Sequence, residues 1–257
     1  MVRKMLVANR KGGVGKTTTA WNLGYELAKK GFKVLLHDFD VQANLSKYAG
    51  RLDTEFYIGD ILKDHKFDVR KAIYPALING EEQENLHIVP ARAGDALTKL
   101  EMDMISITKR EERLNMQLQK LGDDYDFHLF DTDPSASVLS LNAIVGANEF
   151  LFPTEMSDNS LEGIGEMLSH IAEVTFKEED DIKFIILPCK VPAQEKTAID
   201  YGQAYISELW PNNMAKTWIW NRAAFRKAEA DNMPVSMFAP GDNAAMFYKD
   251  LAKELVA

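Results

Sequence analysis

The sequence predicts an α/β fold with a mostly parallel, twisted β-sheet and helices on both of its faces. Short apolar runs bounded by turn residues alternate with longer stretches of helical period along most of the 257 residues, which is the pattern of such sheets. A glycine-rich segment separates the first apolar run from the first helical stretch. No repeat, linker or low-complexity tract interrupts the pattern. We therefore expect one domain, residues 1–257.

The individual elements follow from the alternation of short apolar runs, which indicate strands, with longer stretches of helical period, which indicate helices. Strands are expected at the short apolar runs, which are Met5–Asn9, Lys33–Asp38, Leu86–Pro90, Asp126–Asp131, Glu149–Pro153, Lys183–Leu187 and Thr217–Ile219. Helices are expected at Thr17–Lys30, Ala93–Met102, Lys109–Leu121, Val138–Gly146, Asn159–Phe176, Thr197–Leu209, Arg222–Asp231 and Asn243–Leu255. Residues 50–85 have the weakest pattern.

Composition excludes several classes of protein. The formal net charge of −9 argues against a uniformly basic nucleic-acid binder but allows a local basic patch. A single cysteine, Cys189, cannot form an intramolecular disulfide or a cysteine-rich metal site. No stretch approaches the roughly 20 apolar residues of a membrane span, and the first apolar run is too short for a signal peptide. We therefore expect a cytoplasmic protein.

The most specific feature is the segment between the first strand and the first helix. It reads Lys11-Gly12-Gly13-Val14-Gly15-Lys16-Thr17-Thr18. Glycines allow successive backbone N–H groups to face a phosphate, and the following helix adds the positive end of its dipole. Lys16 can reach the outer phosphates, and Thr17 offers a hydroxyl to Mg²⁺. The strict G-x-x-x-x-G-K-[ST] pattern is not met, because Arg10 occupies the position of its first glycine.

This segment resembles the deviant Walker A motif of the ParA/MinD family of ATPases, in which an additional lysine stands near the start of the loop. By this resemblance Lys11 is the family's signature lysine. The resemblance implies a P-loop fold, binding of ATP or ADP with Mg²⁺, and an ATP-dependent homodimer in which Lys11 contacts the nucleotide of the other subunit. Lys11 and Lys16 would then both act in catalysis.

Two acids follow the second apolar strand, at Asp38 and Asp40. Ligands bind at the carboxyl edge of parallel sheets, where this strand ends. The segment resembles the family's D-x-D-P-Q-x-N motif, with Val41 at the usual proline. The match implies that Asp40 orients or activates the attacking water and that Asp38 lies near the metal or the loop. Either acid could instead cap the following turn.

The strand Asp126–Asp131 ends in a carboxylate, as a Walker B strand does, and Asp131 is expected to face Mg²⁺ through water. The family normally has D-x-P-P here, so Asp133 replaces the first proline. A paired acid/base site at Asp131 and Asp133 is a weaker alternative, because alternate residues of an extended segment point apart.

Other polar residues are expected to be structural. His37 and His128 lie within apolar strands and are expected to be packed and hydrogen-bonded. The acidic run at residues 178–181 is expected to be a solvated loop, because consecutive carboxylates in a turn rarely converge on one ion. Trp210, Trp218 and Trp220 are expected to be core or interface residues.

The negative charge of the chain resides entirely in residues 1–189, and the remainder carries eight basic and eight acidic side chains. Residues 217–228 resemble the ParA segment I-P-R-N-x-R-x-x-E-A, but Trp220 stands at the usual proline and Ala224 at an arginine that relatives use on DNA. We therefore expect the DNA face in this part of the chain. The candidate contacts are Lys190, Lys196, Arg222, Arg226 and Lys227. The alternative is that these are ordinary solubilising charges.

The function that the resemblance implies is that of a ParA-type ATPase. Its ATP-bound dimer would hold non-specific double-stranded DNA on the nucleoid, and a ParB-like adaptor would stimulate hydrolysis to segregate plasmids or chromosomes. The first strand begins near residue 5, so no amino-terminal helix-turn-helix domain is expected. The alternatives are positioning of another cargo on the nucleoid, a MinD-like membrane cycle, and an ATP-dependent small-molecule synthetase. No membrane contact is expected, because the last helix carries as many acids as bases.

Overall fold

Eight strands form one sheet in the computed structural model, which describes residues 2–133 and 137–257 apart from the side chain of Asp95. The strands are β1 (Arg3–Val7), β2 (Val34–Asp38), β3 (Tyr74–Ile78), β4 (Glu81–Val89), β5 (Phe127–Asp131), β6 (Glu149–Thr154), β7 (Phe184–Val191) and β8 (Ile219–Trp220). Their order is β3-β4-β2-β5-β1-β6-β7-β8. Only β3 and β4 pair antiparallel, and the other neighbours are parallel. The predicted α/β class is confirmed.

Helices cover both faces of the sheet. They are α1 (Lys16–Lys29), α2 (Asn44–Tyr48), α3 (Ile58–Lys63), α4 (Asp95–Met104), α5 (Arg113–Leu118), α6 (Val138–Gly146), α7 (Asp158–Thr175), α8 (Lys196–Leu209), α9 (Ala223–Ala230), α10 (Val235–Phe238) and α11 (Ala244–Val256). Side chains alternate between the two faces along each strand. Leu6 therefore belongs to the core shared with α3 to α8, whereas Met5 and Val7 belong to the core shared with α1 and α11.

Four short elements differ from the predictions. β3, α2, α3 and α10 fall where no element was expected, and each has only four to six residues. β3 contains Pro75 and is an edge strand. Proline is tolerated in an edge strand because backbone N–H groups on the outer side have no neighbouring strand to which they must donate. The expected helix at Lys109–Leu121 is broken into a 3₁₀ turn at Arg110–Glu112 and the shorter α5. Lys109 precedes this turn with a left-handed backbone.

The topology brings the predicted phosphate and carboxylate motifs to one edge of the sheet. β5 lies between β2 and β1, so the carboxyl ends of all three strands are adjacent. Asp38 and Asp131 are register partners, and Val7 of β1 is the other partner of Asp131. The glycine-rich segment leaves the same edge directly after β1. This is where ligands bind in parallel α/β sheets.

Candidate functional site

The glycine-rich segment forms a loop that ends at the first turn of α1. Gly13 and Gly15 have φ of 76° and 100°, a left-handed region that residues with a Cβ rarely adopt. α1 begins at Lys16, directly after Gly15. The first-turn N–H groups of a helix have no partners within it and attract anions together with the helix dipole. The loop therefore has the backbone geometry of a phosphate site.

Lys16 lies beneath this loop. Its side chain is buried, and the ammonium donates hydrogen bonds to the carbonyls of Asn9 at 3.2 Å and Lys11 at 3.3 Å. Burial lowers the pKa of Lys16, and the charges of Asp131, Asp40 and Asp133 oppose that effect. A buried cation faced by three carboxylates is thus held at the base of the loop.

A cavity of about 590 Å³ opens beside the loop. Residues 12–18 line one side of it, together with Asp40. The opposite side comes from the carboxyl-terminal third and includes Lys190, Arg222, Arg226, Glu229 and Tyr248. The cavity is therefore a cleft between the phosphate loop and α9.

A larger cavity of about 910 Å³ lies at the amino edge of the sheet, away from these motifs. Its lining includes Arg70 and Asp124, which pair at 2.7 Å, and Asp126, whose carboxylate accepts a hydrogen bond from the Lys33 N–H. We place the functional site in the smaller cleft because the glycine-rich loop and Asp40 line it.

Asp131 ends β5 with a carboxylate that is fully buried. Neither carboxylate oxygen accepts a hydrogen bond of ordinary geometry from the described residues, although the Thr17 hydroxyl is close enough to favour the ionised form. Burial and the neighbouring Asp38 raise the pKa of Asp131 well above its ordinary value. A buried carboxylate with unused acceptors beside a threonine hydroxyl fits a site for a hard divalent cation such as Mg²⁺.

Asp38 is equally buried but is used by its own chain. Its carboxylate accepts hydrogen bonds from the Asp40 N–H at 3.0 Å, the Ser46 N–H at 2.8 Å and the Ser46 hydroxyl at 2.7 Å. Burial raises its pKa to about 6, against the effect of these bonds. Asp38 therefore ties β2 to α2, the turn-capping role that the sequence left open.

Asp40 lies two residues further on, half-buried in the lining of the cleft. Its carboxylate accepts a hydrogen bond from the Gln42 N–H at 2.9 Å. No described residue donates a hydrogen bond to the second carboxylate oxygen. Of the two acids after β2, Asp40 is thus the one that the fold presents to the cleft.

Lys11 stands at the start of the loop, and about a third of its side-chain surface is exposed. Its ammonium donates to a Glu155 carboxylate oxygen at 2.7 Å and to the Ser160 hydroxyl at 3.0 Å. Sequence reasoning missed Glu155 and Ser160, which follow β6 and are separated from Lys11 by 144 and 149 residues. No local signal could have revealed this contact.

The five predicted DNA contacts separate into two groups. Lys190, Arg222 and Arg226 line the cleft, whereas Lys196 and Lys227 are exposed on α8 and α9. Lys190 has a left-handed backbone at the point where the register of β7 and β8 shifts, and its ammonium donates to the Gly13 carbonyl. Arg222 precedes α9 with an extended backbone rather than lying within the helix.

Glu229 of α9 is a second residue that sequence reasoning missed. Its carboxylate accepts a hydrogen bond from the Thr18 hydroxyl in the first turn of α1. With the contact between Lys190 and Gly13, this bond attaches the carboxyl-terminal wall of the cleft to the phosphate loop. The two partners are 211 residues apart in the chain.

The residues expected to be structural behave as predicted. His37 and His128 are buried and share a hydrogen bond of 3.0 Å between ring nitrogens. Burial lowers the pKa of both, for His128 to about 3. The acidic run is an exposed 3₁₀ turn at Glu179–Asp181. The described side chains contain no cluster of three His, Cys, Asp or Glu residues able to hold a metal.

Two further outcomes concern the chain beyond the cleft. Trp210, Trp218 and Trp220 are partly buried against the core. Pro134 and Ser135, which follow Asp133 in the expected D-x-P-P segment, lie outside the described residues. Within residues 2–133 and 137–257, the helices are all too short or too polar to cross a bilayer.

Comparison with known proteins identifies the family of the chain. A protein-family model described as an AAA domain matches residues 2–184. The sporulation initiation inhibitor protein Soj of Bacillus subtilis is 30% identical over 260 residues, covering 100% of this chain and 99% of that protein. The chromosome-partitioning ATPase Soj of Treponema pallidum is 30% identical over 266 residues, covering 100% and 98%.

Solved structures show the same fold. The cobyrinic acid a,c-diamide synthase of Mycobacterium smegmatis, with ADP and magnesium bound, matches with a TM-score of 0.79 and 25% identity over 100% of this chain and 94% of that one. The septum site-determining protein MinD of Pyrococcus horikoshii, with Mg-ADP, matches with a TM-score of 0.78 and 22% identity over 99% and 96%. With its phosphate loop, its edge carboxylates and its full-length likeness to the Soj proteins, the chain belongs to the ParA/MinD family of P-loop ATPases.

Proposed function

We propose that this ATPase forms an ATP-bound homodimer that holds double-stranded DNA of any sequence and releases it after hydrolysis. A ParB-like adaptor stimulates the hydrolysis, and the cycle segregates plasmid or chromosomal DNA in the cytoplasm, on the nucleoid. The observation that carries the proposal is the shared cleft. Its phosphate loop faces Lys190, Arg222 and Arg226 across one cavity, so a bound nucleotide directly alters the surroundings of the cations that meet DNA.

In this proposal residues Lys11 to Thr18 hold the phosphates of ATP or ADP. Thr17 and Asp131 would hold Mg²⁺, which fits the buried Asp131 carboxylate oxygens that accept no hydrogen bond of ordinary geometry from the described residues. The ion would supply positive charge that offsets the charge of the phosphates. Lys16 adds a second positive charge at the base of the loop.

Hydrolysis depends mainly on positioning, because phosphoryl transfer needs little covalent participation by the protein. Asp40 orients the attacking water, with its own backbone turn fixed by the Gln42 N–H. Lys11 contacts the nucleotide of the other subunit. Within one subunit its ammonium contacts Glu155 and Ser160 instead.

DNA is held by Lys190, Arg222 and Arg226 at the cleft and by Lys196 and Lys227 on the adjoining surface. One subunit offers few phosphate contacts, and a dimer doubles them. Because each neutralised phosphate releases counterions, the doubled set makes binding both stronger and steeper in its dependence on salt. Because the dimer forms only with ATP, this doubling of phosphate contacts restricts DNA binding to the ATP state.

A small-molecule synthetase is the second candidate function, favoured by the likeness to the Mycobacterium smegmatis enzyme. A synthetase would use the same loop and Mg²⁺ but would need neither Lys11 nor DNA. A membrane cycle has less support, because Tyr248, Leu251 and Ala252 of α11 are buried in the core, which leaves mainly Met246 and Val256 of its apolar side chains exposed. Positioning of another cargo would use the same nucleotide cycle with a different adaptor.

The test is binding to random-sequence duplex DNA with ATP, a non-hydrolysable analogue or ADP, over a salt series. We expect salt-sensitive binding in the two ATP-like states only. Replacing Arg222 and Arg226 together by alanine should weaken binding and flatten the salt dependence. Lys216→Ala is the matched control, because this exposed lysine lies near the amino edge of the sheet.

Nucleotide affinity is measured separately in each variant, since both arginines line the nucleotide cleft. Absence of DNA binding in every nucleotide state would contradict the proposal. Small carboxylate substrates would then be tested for ATP-dependent turnover.

A further inference from the structure

The ammonium of Lys11 is engaged within its own subunit. It lies 2.7 Å from a Glu155 carboxylate oxygen and 3.0 Å from the Ser160 hydroxyl. Both Lys11 and Glu155 have about a third of their side-chain surface exposed, at 37% and 32%. Both side chains of the pair are therefore partly accessible to solvent.

The surroundings hold this pair in position. The Asn9 side chain accepts a hydrogen bond from the Lys11 N–H at 2.9 Å and donates one to the Pro153 carbonyl at 2.9 Å. The start of the phosphate loop is thereby attached to the end of β6. The backbone segments that carry Lys11 and Glu155 are consequently held close together before the side chains pair.

Ser160 is fixed as well. It is fully buried, and its hydroxyl accepts a further hydrogen bond from the Ser157 hydroxyl at 3.1 Å. Its carbonyl accepts one from the Thr154 hydroxyl at 3.2 Å. Lys11 thus meets two acceptors on a segment that is already ordered by its own hydrogen bonds.

An ammonium has three N–H donors, and Lys11 uses two of them in its hydrogen bonds to Glu155 and Ser160. These two donors are unavailable to a nucleotide on another subunit unless the contacts with Glu155 and Ser160 break. Glu155 and Ser160 together therefore form what we call the Lys11 latch.

We infer that Glu155 is a positioning residue that keeps Lys11 on its own subunit until ATP-driven dimerisation, and thereby sets the protein concentration at which the dimer forms. The inference rests on the proposed function, in which Lys11 crosses to the partner nucleotide. Formation of one dimer breaks the Lys11 latch in both subunits. The factor by which one latch weakens dimerisation therefore enters the dimer dissociation constant squared. A partly exposed ion pair worth about threefold per subunit gives about tenfold for the dimer.

The experiment compares wild-type protein with Glu155→Gln in sedimentation velocity over a protein concentration series, with Mg²⁺ and a non-hydrolysable ATP analogue. Glutamine keeps the size of the side chain and removes its charge. We expect the variant to dimerise at about tenfold lower concentration, with unchanged analogue affinity. Glu166→Gln is the matched control, because Glu166 lies on α7 and pairs with Arg10 at 3.1 Å instead of with Lys11.

A second readout does not depend on dimers. Acetylation of Lys11 in nucleotide-free protein, followed by mass spectrometry, should be several-fold faster in Glu155→Gln than in the wild type. Unchanged labelling would show that the pair is not formed in solution and would overturn the inference.

The outcomes separate the two proposals. If the wild type dimerises and Glu155→Gln dimerises at the same or a higher concentration, the latch is wrong and the proposed dimer stands. If neither protein dimerises with the analogue, both proposals are wrong. A variant that dimerises where the wild type does not would support the latch strongly.

Discussion

β2 and β5 end side by side, and each ends in a buried aspartate. Asp38 and Asp131 are register partners and are both fully buried. Asp38 accepts three hydrogen bonds, two of them from Ser46. Asp131 accepts none of ordinary geometry from the described residues. Two neighbouring carboxylates with equal burial thus have opposite environments.

This difference distinguishes a structural carboxylate from one that is kept for a ligand. Buried polar atoms are normally satisfied within the protein, and one that is not requires an explanation such as a catalytic role or a bound ion. Asp38 spends its acceptors on fixing α2 and the turn before it. Asp131 keeps its acceptors for a group that the chain does not supply, which agrees with its proposed role toward Mg²⁺.

The largest effect is expected from Asp131→Asn. The rate of Mg²⁺-dependent ATP hydrolysis should fall about a hundredfold or more, because charge stabilisation at the metal is worth several kcal/mol. The nucleotide-free protein should meanwhile become more stable by about 1–2 kcal/mol at neutral pH, since asparagine cannot ionise and the cost of charging a buried acid with a raised pKa is removed. Phosphate release and calorimetry measure the two quantities. A normal rate of ATP hydrolysis in this variant would contradict the proposed role of Asp131 toward Mg²⁺.

The next test of the comparison between Asp38 and Asp131 is the pH dependence of the free energy of unfolding. Burial raises the pKa of Asp38 from 3.8 to about 6, so the folded state binds this proton more tightly than the unfolded chain. Its stabilising contribution is complete below about pH 4 and is lost as the pH rises through about 6, a change of about 3 kcal/mol. The raised pKa of Asp131 acts in the same direction.

Urea denaturation of nucleotide-free protein between pH 4 and pH 8 measures this change. Asp38→Asn should remove part of the fall in stability with pH, and Asp131→Asn should remove another part. Profiles that stay parallel to that of the wild type in both variants would show that neither carboxyl has the raised pKa described above.

The smallest effect is expected at Ser46. Its hydroxyl donates to Asp38 at 2.7 Å and accepts from the Ala91 N–H at 2.8 Å. Ser46→Ala should lower the free energy of unfolding by about 2 kcal/mol, because a buried N–H and a buried carboxylate oxygen both lose a partner. ATP hydrolysis should be largely kept. Ser169→Ala, at an exposed serine, should change stability by less than about 0.5 kcal/mol, and an equal loss in both variants would contradict the account.

The sequence predicted the edge of the sheet where these residues meet. The strands that carry Asp38 and Asp131 are buried at every position, and such strands appear as continuous apolar runs. The loop was predictable because its glycines and Lys16 are consecutive in the chain. The different environments of the two aspartates were not predictable. Ser46 contacts Asp38 because it lies on α2, and α2 begins after Ala43, whose backbone is left-handed.

Contacts between distant parts of the chain account for the remaining differences. Glu155 and Glu229 meet the phosphate loop across 144 and 211 residues, and no local pattern encodes such a pairing. Arg222 and Arg226 were expected four residues apart on one helix. They line the same cleft although Arg222 stands before α9, so the expected proximity arises from a different local geometry.

The most direct test of the ATP-driven dimer is its molar mass by light scattering with Mg²⁺ and a non-hydrolysable ATP analogue, for the wild type and Lys11→Ala. The chain has a mass of 29.0 kDa. We predict about 58 kDa, twice 29.0 kDa, for the wild type, and a monomer that still binds the analogue for Lys11→Ala. A wild type that stays monomeric, or a variant that dimerises equally well, would contradict the account.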